Sequence, residues 1–272
     1  MDILQMEKKS REMRLEIAKI LSRVNGSHIG GAYSVLDILN VLYFKIMNIN
    51  PEDPLMPTRD KLIFSKGHAG IALYTVLSNR GFFSKEMLNS YCKNNSPLEG
   101  HVNYFNVPGI EVSTGSLGHG LAVGAGMALS NKNERNKGKV FVILSDGECQ
   151  EGSVWEAAIF ISRMQLDNLA VIVDANGWQG YDSTENIFGG ERKLIELWQY
   201  SGFAIKEIDG HDYKQISHAL ENLPIKKNRP SLIYANTIKG KGVSFMEDKL
   251  EWHYKSPKEE DIGVIEKELG QR

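Results

Sequence analysis

Short runs of Val, Ile and Leu alternate along this chain with longer stretches in which apolar residues recur every three or four positions. These are the two periods of the buried strand and the amphipathic helix. The recurrence at Met13, Ile17, Ile20, Leu21 and Val24 predicts an opening helix over about 3–24, stopped by Asn25-Gly26-Ser27. His28-Ile29-Gly30-Gly31 reads as a glycine-flanked loop, with Ser34 expected to cap a helix buried through Leu36, Leu39, Leu42, Tyr43 and Ile46. After a proline-bearing turn region at 50–57, Leu62-Ile63-Phe64 predicts a strand ending at Ser65-Lys66-Gly67-His68, then a helix over 71–79. Ser84 begins another short helix, 93–107 reads as loop around Gly100-His101, and 131–139 reads as a solvated polar connection.

The rest of the pattern is organised around residues 141–182. A strand at 141–144 meets the acidic glycine turn Ser145-Asp146-Gly147-Glu148, a helix follows over about 153–164, and a second strand at 169–173 runs into Asp174-Ala175-Asn176. Two short Val/Ile-rich runs bracketing a helix make a βαβ unit with parallel strands. Beyond it come a glycine-bearing loop at 180–192, a helix at 194–200, a strand at 203–208, a helix over about 213–222, a strand at 231–235 and a charged amphipathic helix over about 258–269. No repeat or linker breaks the alternation. Residues 1–272 are therefore expected to form a single α/β domain, doubly wound, with a largely parallel sheet and helices on both faces.

Composition narrows the class. With 42% hydrophobic residues the chain can bury a sizeable core, and a net charge of −2 gives no electrostatic case for nucleic acid or a membrane surface. Two cysteines, Cys92 and Cys149, are too few for a disulfide framework, no apolar run approaches a membrane span, and the charged first residues do not read as a signal peptide. The expected setting is a reduced cytoplasm. Cys149 has no base beside it in the sequence and reads as a small buried residue, not a nucleophile.

Asp146 follows the first central strand and Asn176 the second, roughly 30 residues later, as in a typical βαβ unit. Ligands of parallel sheets bind outside the carboxyl ends of the strands, so a carboxylate and an amide oxygen converge there. Both are hard oxygen ligands, suited to Mg²⁺ or Ca²⁺ bridged to a diphosphate, with Gly147 allowing close backbone approach. Either residue alone is equally a turn or a strand-end cap. Ser113-Thr114-Gly115-Ser116-Leu117-Gly118-His119-Gly120 opens a further helix, an anion site in principle.

Together, DGECQEGSVWEA, LDNLAVIVDAN, STGSLGHG, KGHA and KGKGVSFMED resemble the N-terminal part of transketolases, with Ser145 where the general thiamine diphosphate signature has glycine. The chain looks most like the split form, made as two polypeptides. The resemblance implies thiamine diphosphate and a divalent metal (Mg²⁺, or Ca²⁺ or Mn²⁺), held by Asp146, Asn176 and the backbone carbonyl of Trp178. It implies cofactor contacts from His68, Gly115, Leu117, Gly147, Glu148, Asn176 and His253, and active-site histidines at His28, His68, His101 and His253. Glu151 and Glu156 match glutamates that face the partner domain, although Glu156 also reads as an ordinary exposed helix residue. His119, where the family often has glutamine, is given no chemistry; His211 is open between structure and function, and His218 reads as surface.

The glutamate that activates the cofactor's aminopyrimidine lies, in that family, on a second α/β domain. A separate C-terminal subunit carrying the pyrimidine domain is therefore expected, in a heterotetramer of two of each chain, acting on sugar phosphates. Alternatives left open are a subunit of a deoxyxylulose phosphate synthase-like or decarboxylase-like enzyme, or a non-catalytic module keeping the fold.

Overall fold

In the computed structural model, which describes residues 1–271, five strands form one sheet. They are β1 (Lys61–Phe64), β2 (Val140–Ser145), β3 (Leu169–Ala175), β4 (Ala204–Asp209) and β5 (Ser231–Asn236), in the order β1-β2-β3-β5-β4, and every pairing is parallel. The helices are α1 (Ile3–Val24), α2 (Ile29–Val41), α3 (Gly70–Arg80), α4 (Lys85–Leu88), α5 (Gly120–Asn133) and α6 (Gly152–Arg163). They continue with α7 (Thr184–Phe188), α8 (Glu191–Tyr200), α9 (Tyr213–Glu221) and α10 (Glu259–Gln271).

Strand alternation divides the core in two. Phe141 and Ile143 of β2, Ile172 of β3 and Ile233 of β5 enter a cluster with α1, α2, α3, α9 and α10. Val142 and Leu144, Val171 and Val173, and Leu232 enter a second cluster with α5, α6 and α8 on the opposite face. Each such side chain, fully buried, contributes about 1.5–3 kcal/mol of hydrophobic stabilisation. Being covered on both faces, β1, β2, β3 and β5 carry near-continuous apolar runs, while the edge strand β4 exposes Lys206 and Glu207.

Several expectations are corrected. Ser34 is not a helix cap: α2 starts five residues earlier, at Ile29, and Ser34 lies buried within it. Gly30 and Gly31 lie within α2, and Gly30 is a glycine because the backbone is crowded there: a Cβ on it would lie 2.8 Å from Cγ of Lys239. The expected solvated connection begins inside α5, where Asn131 is buried, donates to the Gly138 carbonyl at 2.7 Å and accepts from Lys61. The expected loop at 180–192 contains α7, capped by Ser183, whose hydroxyl accepts the Asn186 amide at 3.1 Å. One helical stretch, Ile29–Ile46, is long and apolar enough to cross a membrane, with mean hydropathy 1.3, where none was expected. It is 83% buried inside the fold and serves as a core helix.

Candidate active site

Because all five strands run the same way, their carboxyl ends open on one edge of the sheet. Ser65 to His68 leave β1, Asp146 and Gly147 leave β2, Asn176 leaves β3, and Thr237 to Lys239 leave β5. The start of α2 adds His28, held in a left-handed backbone conformation (φ 68°) by a 3.0 Å bond from its amide to the His253 carbonyl. Around a cavity of about 410 Å³ the fold gathers His28, His68, His101 and His253, with Gly115, Leu117, Gly147, Glu148, Asn176 and Trp178. The four histidines expected from separate loops are thus one cluster. Ring centroids lie 5.3 Å apart for His28 and His68, 5.0 Å for His28 and His253, 5.8 Å for His68 and His253, and 6.1 Å for His28 and His101.

Burial sets the charge of this cluster. Desolvation lowers His28 to about 4, helped by the positive charges it would meet at His101, Lys239 and Lys66. Desolvation and then Lys239 lower His253 to about 3, and burial beside Lys66 puts His68 well below its ordinary value. These three imidazoles are neutral near pH 7, each with one N–H donor and one acceptor nitrogen.

Beneath the histidines lies an ion pair that the sequence reading did not identify. Lys66 and Asp174, both fully buried, are in direct contact, and Lys66 also donates to the Gly31 carbonyl at 3.1 Å. Asp174 accepts from Ser34 at 2.7 Å and from Thr237, so one carboxylate ties β3, α2, β1 and the loop after β5. A second missed residue is Lys239, 1% exposed, whose ammonium lies 3.1 Å from Nδ1 of His253. Burial lowers it to about 8, with Lys66 adding repulsion. The signals that pointed to these residues were an aspartate inside an otherwise apolar strand and a lysine directly after one.

Asp146 is 1% exposed. Its carboxylate accepts from the amides of Gly147 (2.9 Å) and Gly177 (2.8 Å) and from the Thr184 hydroxyl (2.9 Å). Desolvation raises it to about 6, and the nearby Asp174 charge pushes the same way. Asn176 donates to Ser34 at 3.3 Å and accepts from the Trp178 amide at 3.1 Å. Asp146 does not itself line the histidine cavity; it faces a smaller one of about 170 Å³ and reaches the larger through Gly147 and Asn176. Among the described residues no group of three His, Cys, Asp or Glu side chains is poised for a metal, and the expected donor set, which includes an amide and a carbonyl, is not of that kind.

Glu148 is redirected. It borders the cavity, but its oxygens accept from Ser65, from the Gly118 amide at 2.9 Å and from the Ser145 amide at 3.3 Å, so it fastens three loops together. Cys149 is fully buried, and burial raises its thiol well above the ordinary value, in keeping with a packing role. Glu151 is the N-cap of α6, and Glu156 lies within the helix; both side chains are exposed. His119 and His218 are exposed, whereas His211 is nearly buried between Asp37 and the loop after β5.

A family profile described as "Transketolase, thiamine diphosphate binding domain" matches residues 6–272. The chain is 37% identical over 272 residues to one of the subunits of an apulose-4-phosphate transketolase from Phocaeicola vulgatus, covering all of this chain and 96% of that protein. It is 38% identical over 233 residues to "6-deoxy-6-sulfo-D-fructose transketolase subunit SqwG" of a Clostridium species, covering 86% of this chain and 84% of that one. Among solved structures, the transketolase of Campylobacter jejuni superposes with a TM-score of 0.92 at 30% identity, and that of Leishmania mexicana with 0.90 at 28%. They cover 99% and 97% of this chain, which spans only 43% and 41% of theirs.

Proposed function

We propose, from the premise that this chain belongs to the transketolase family through its thiamine diphosphate binding domain, that it is the N-terminal subunit of a two-chain transketolase. The reaction would move a two-carbon ketol unit from a ketose phosphate to an aldose phosphate. One observation carries the reading: two opposite charges, Asp146 and Lys239, are buried at one sheet edge, near enough to attract each other yet neither in a direct ion pair. Asp146 is held by neutral donors only, and among the described residues no carboxylate lies within ion-pair distance of the Lys239 ammonium. Burying an unpaired charge is costly, so each calls for a guest of opposite sign. A divalent cation answers the first and a diphosphate the second, and Mg²⁺ is commonly bound by one or two protein oxygens together with phosphate.

The residues present therefore fit the group. Asp146, the Asn176 side-chain oxygen and the Trp178 carbonyl would hold the metal. Lys239, His68 and His253 would meet the diphosphate alongside Gly115 and Gly147, with Leu117 near the thiazolium ring. When bound, the cofactor supplies a nucleophilic ring carbon and the electron sink for breaking a C–C bond. The chain's own part is to bind and orient the sugar: neutral His28, His68 and His253, with His101 at the exposed rim, offer donors and acceptors matched to a polyol's hydroxyls. They can pass a hydroxyl proton along without first giving up a charge.

Relatives of this chain's length are named as single subunits of transketolases, which supports a partner chain here as well. That partner would bring the activating glutamate, and Glu151 and Glu156 are proposed to face it. The test is a thiamine diphosphate titration of the assembled pair, with and without Mg²⁺. Asp146→Ala is expected to remove the metal-dependent part of binding, a loss of about 10²-fold or more. Unchanged metal-dependent affinity would take Asp146 out of the site and sink the reading.

A further inference from the structure

The loop carrying Lys239 is held from behind by a histidine for which the proposed chemistry has no use. Both ring nitrogens of His211 are engaged: Nδ1 lies 2.8 Å from a carboxylate oxygen of Asp37, and Nε2 lies 2.9 Å from the backbone nitrogen of Ile238. A backbone N–H can only donate, so Nε2 carries no proton, and the ring proton sits on Nδ1 and is given to Asp37. Asp37 is itself fixed, receiving both terminal nitrogens of Arg14 (3.0 and 2.8 Å) and the Tyr213 hydroxyl (2.7 Å). The imidazole is therefore gripped on one edge by α1, α2 and α9, and presents an oriented acceptor to the loop on its other edge.

The residue after Ile238 is Lys239. Around it the backbone is pinned by Thr237 N–H to the Ala175 carbonyl (3.1 Å), Gly240 N–H to the Gly30 carbonyl (3.0 Å) and Asp248 N–H to the Lys239 carbonyl (2.9 Å). Against these backbone-to-backbone bonds, the Ile238 bond alone is made to a side chain. Its loss would free the Thr237–Ile238 peptide, one residue before the lysine whose stem crosses Gly30.

We propose that His211 is a positioning residue for the phosphate end of the cofactor site: its unprotonated Nε2, oriented by Asp37, fixes the Thr237–Ile238 peptide and, through Ile238, aims the buried Lys239 ammonium into the cavity. This rests on the reading of that cavity as a thiamine diphosphate site. Two substitutions separate positioning from mere packing, since Asn mimics Nδ1 and Gln mimics Nε2. His211→Asn keeps a donor for Asp37 and offers Ile238 no acceptor; His211→Gln keeps an acceptor for Ile238 and gives up the bond to Asp37.

In the assembled pair with Mg²⁺, His211→Asn is expected to raise the thiamine diphosphate Kd about tenfold or more, and His211→Gln to stay within roughly threefold of the parent, the difference being one net hydrogen bond. In the isolated full chain, the Ile238 amide should exchange with deuterium about tenfold faster in the Asn variant than in the parent or the Gln variant. Equal Kd values in the two variants, or a weaker Gln variant, would overturn the proposal, because a purely structural histidine predicts no such ranking. So would a parent Ile238 amide that exchanges like an exposed loop amide, an outcome readable even if neither variant folds. A parent pair that binds no thiamine diphosphate while its Ile238 amide is protected would instead bring down the cavity reading and leave the His211 contact standing.

Discussion

Lys239 shows how a single residue carries functional information that its sequence neighbourhood conceals. A lysine just past a strand, between Ile238 and Gly240, reads as a solvated surface group, since long charged side chains are almost never fully buried without a partner. Here the stem is laid across Gly30 and the ammonium is closed in behind His253, a burial set by α2 packing on the sheet edge and not by anything local. His28, His68 and His101 were legible from their glycine-bearing loops and His253 only from the family resemblance; Asp174 and Lys66 were not, because their meaning lies in each other. Lys239→Met is expected to weaken thiamine diphosphate binding by about 30-fold to 10³-fold, the usual loss when one partner of a buried charge pair is removed. The pH dependence has a definite sign. The free ammonium is held at about 8, so it is charged below that value and neutral above it, and an anionic guest favours the charged form. Above pH 7, where Asp146 is ionised, affinity should hold to about 7.5 and fall as pH rises through 8, approaching about tenfold per unit. Calorimetric titrations across that range check it, and the Met variant should show no such fall.

At the scale of elements, strands β1 to β5 were legible within two residues at each end; β1, β2, β3 and β5 are covered on both faces and keep nearly unbroken apolar runs, while β4 is a half-exposed edge strand marked by Phe203, Ile205 and Ile208. The start of α2 was not, because Gly30-Gly31 is ordinarily a loop signal, whereas here Gly30 is a helical residue left without a side chain so that Lys239 and the Trp252 carbonyl can pack against it. What fixes α2 against α1 and α9 is a polar knot no periodicity reveals: Arg14, Asp37 and Tyr213, all buried. Burial alone would raise the Asp37 carboxyl, but the Arg14 guanidinium and the His211 ring hold it far below the usual carboxylate range. Asp37→Asn leaves the Arg14 charge buried without its counter-ion and should cost about 3–5 kcal/mol in denaturant unfolding. A carboxyl depressed on folding stabilises above its unfolded value of about 4 and loses that contribution as pH falls below it. The parent's advantage over the Asn variant should therefore be constant from pH 7 to 5 and shrink below about 4. An advantage that grew on acidification would contradict the ion pair.

At the scale of the whole molecule, the two apolar faces of the sheet are covered, yet α6 turns large apolar residues outward. Ile159 is 64% exposed, Phe160 43% and Met164 38%, with Val123 of the adjoining α5 at 36%. Contiguous exposed apolar surface of this kind marks interaction sites, and it lies on the helix that carries Glu156 and follows Glu151. The sequence hinted at this face only through the two glutamates; only the packing shows that the apolar residues beside them point away from the sheet. The proposed partner chain is expected against this edge, and cofactor retention should depend on that contact. Ile159→Lys adds a charge at a site open to solvent in the isolated chain, so its unfolding midpoint should move by less than about 0.5 kcal/mol equivalent. In the pair the same charge would have to be desolvated without a partner, raising the dissociation constant between chains by about 30-fold or more. Ketol transfer by an equimolar dilute mixture should fall with it and return as the partner is titrated in excess. Sedimentation of the mixed chains, read beside the unfolding midpoint of the isolated variant, decides the matter. Undiminished association at an unchanged midpoint would place the partner on another face.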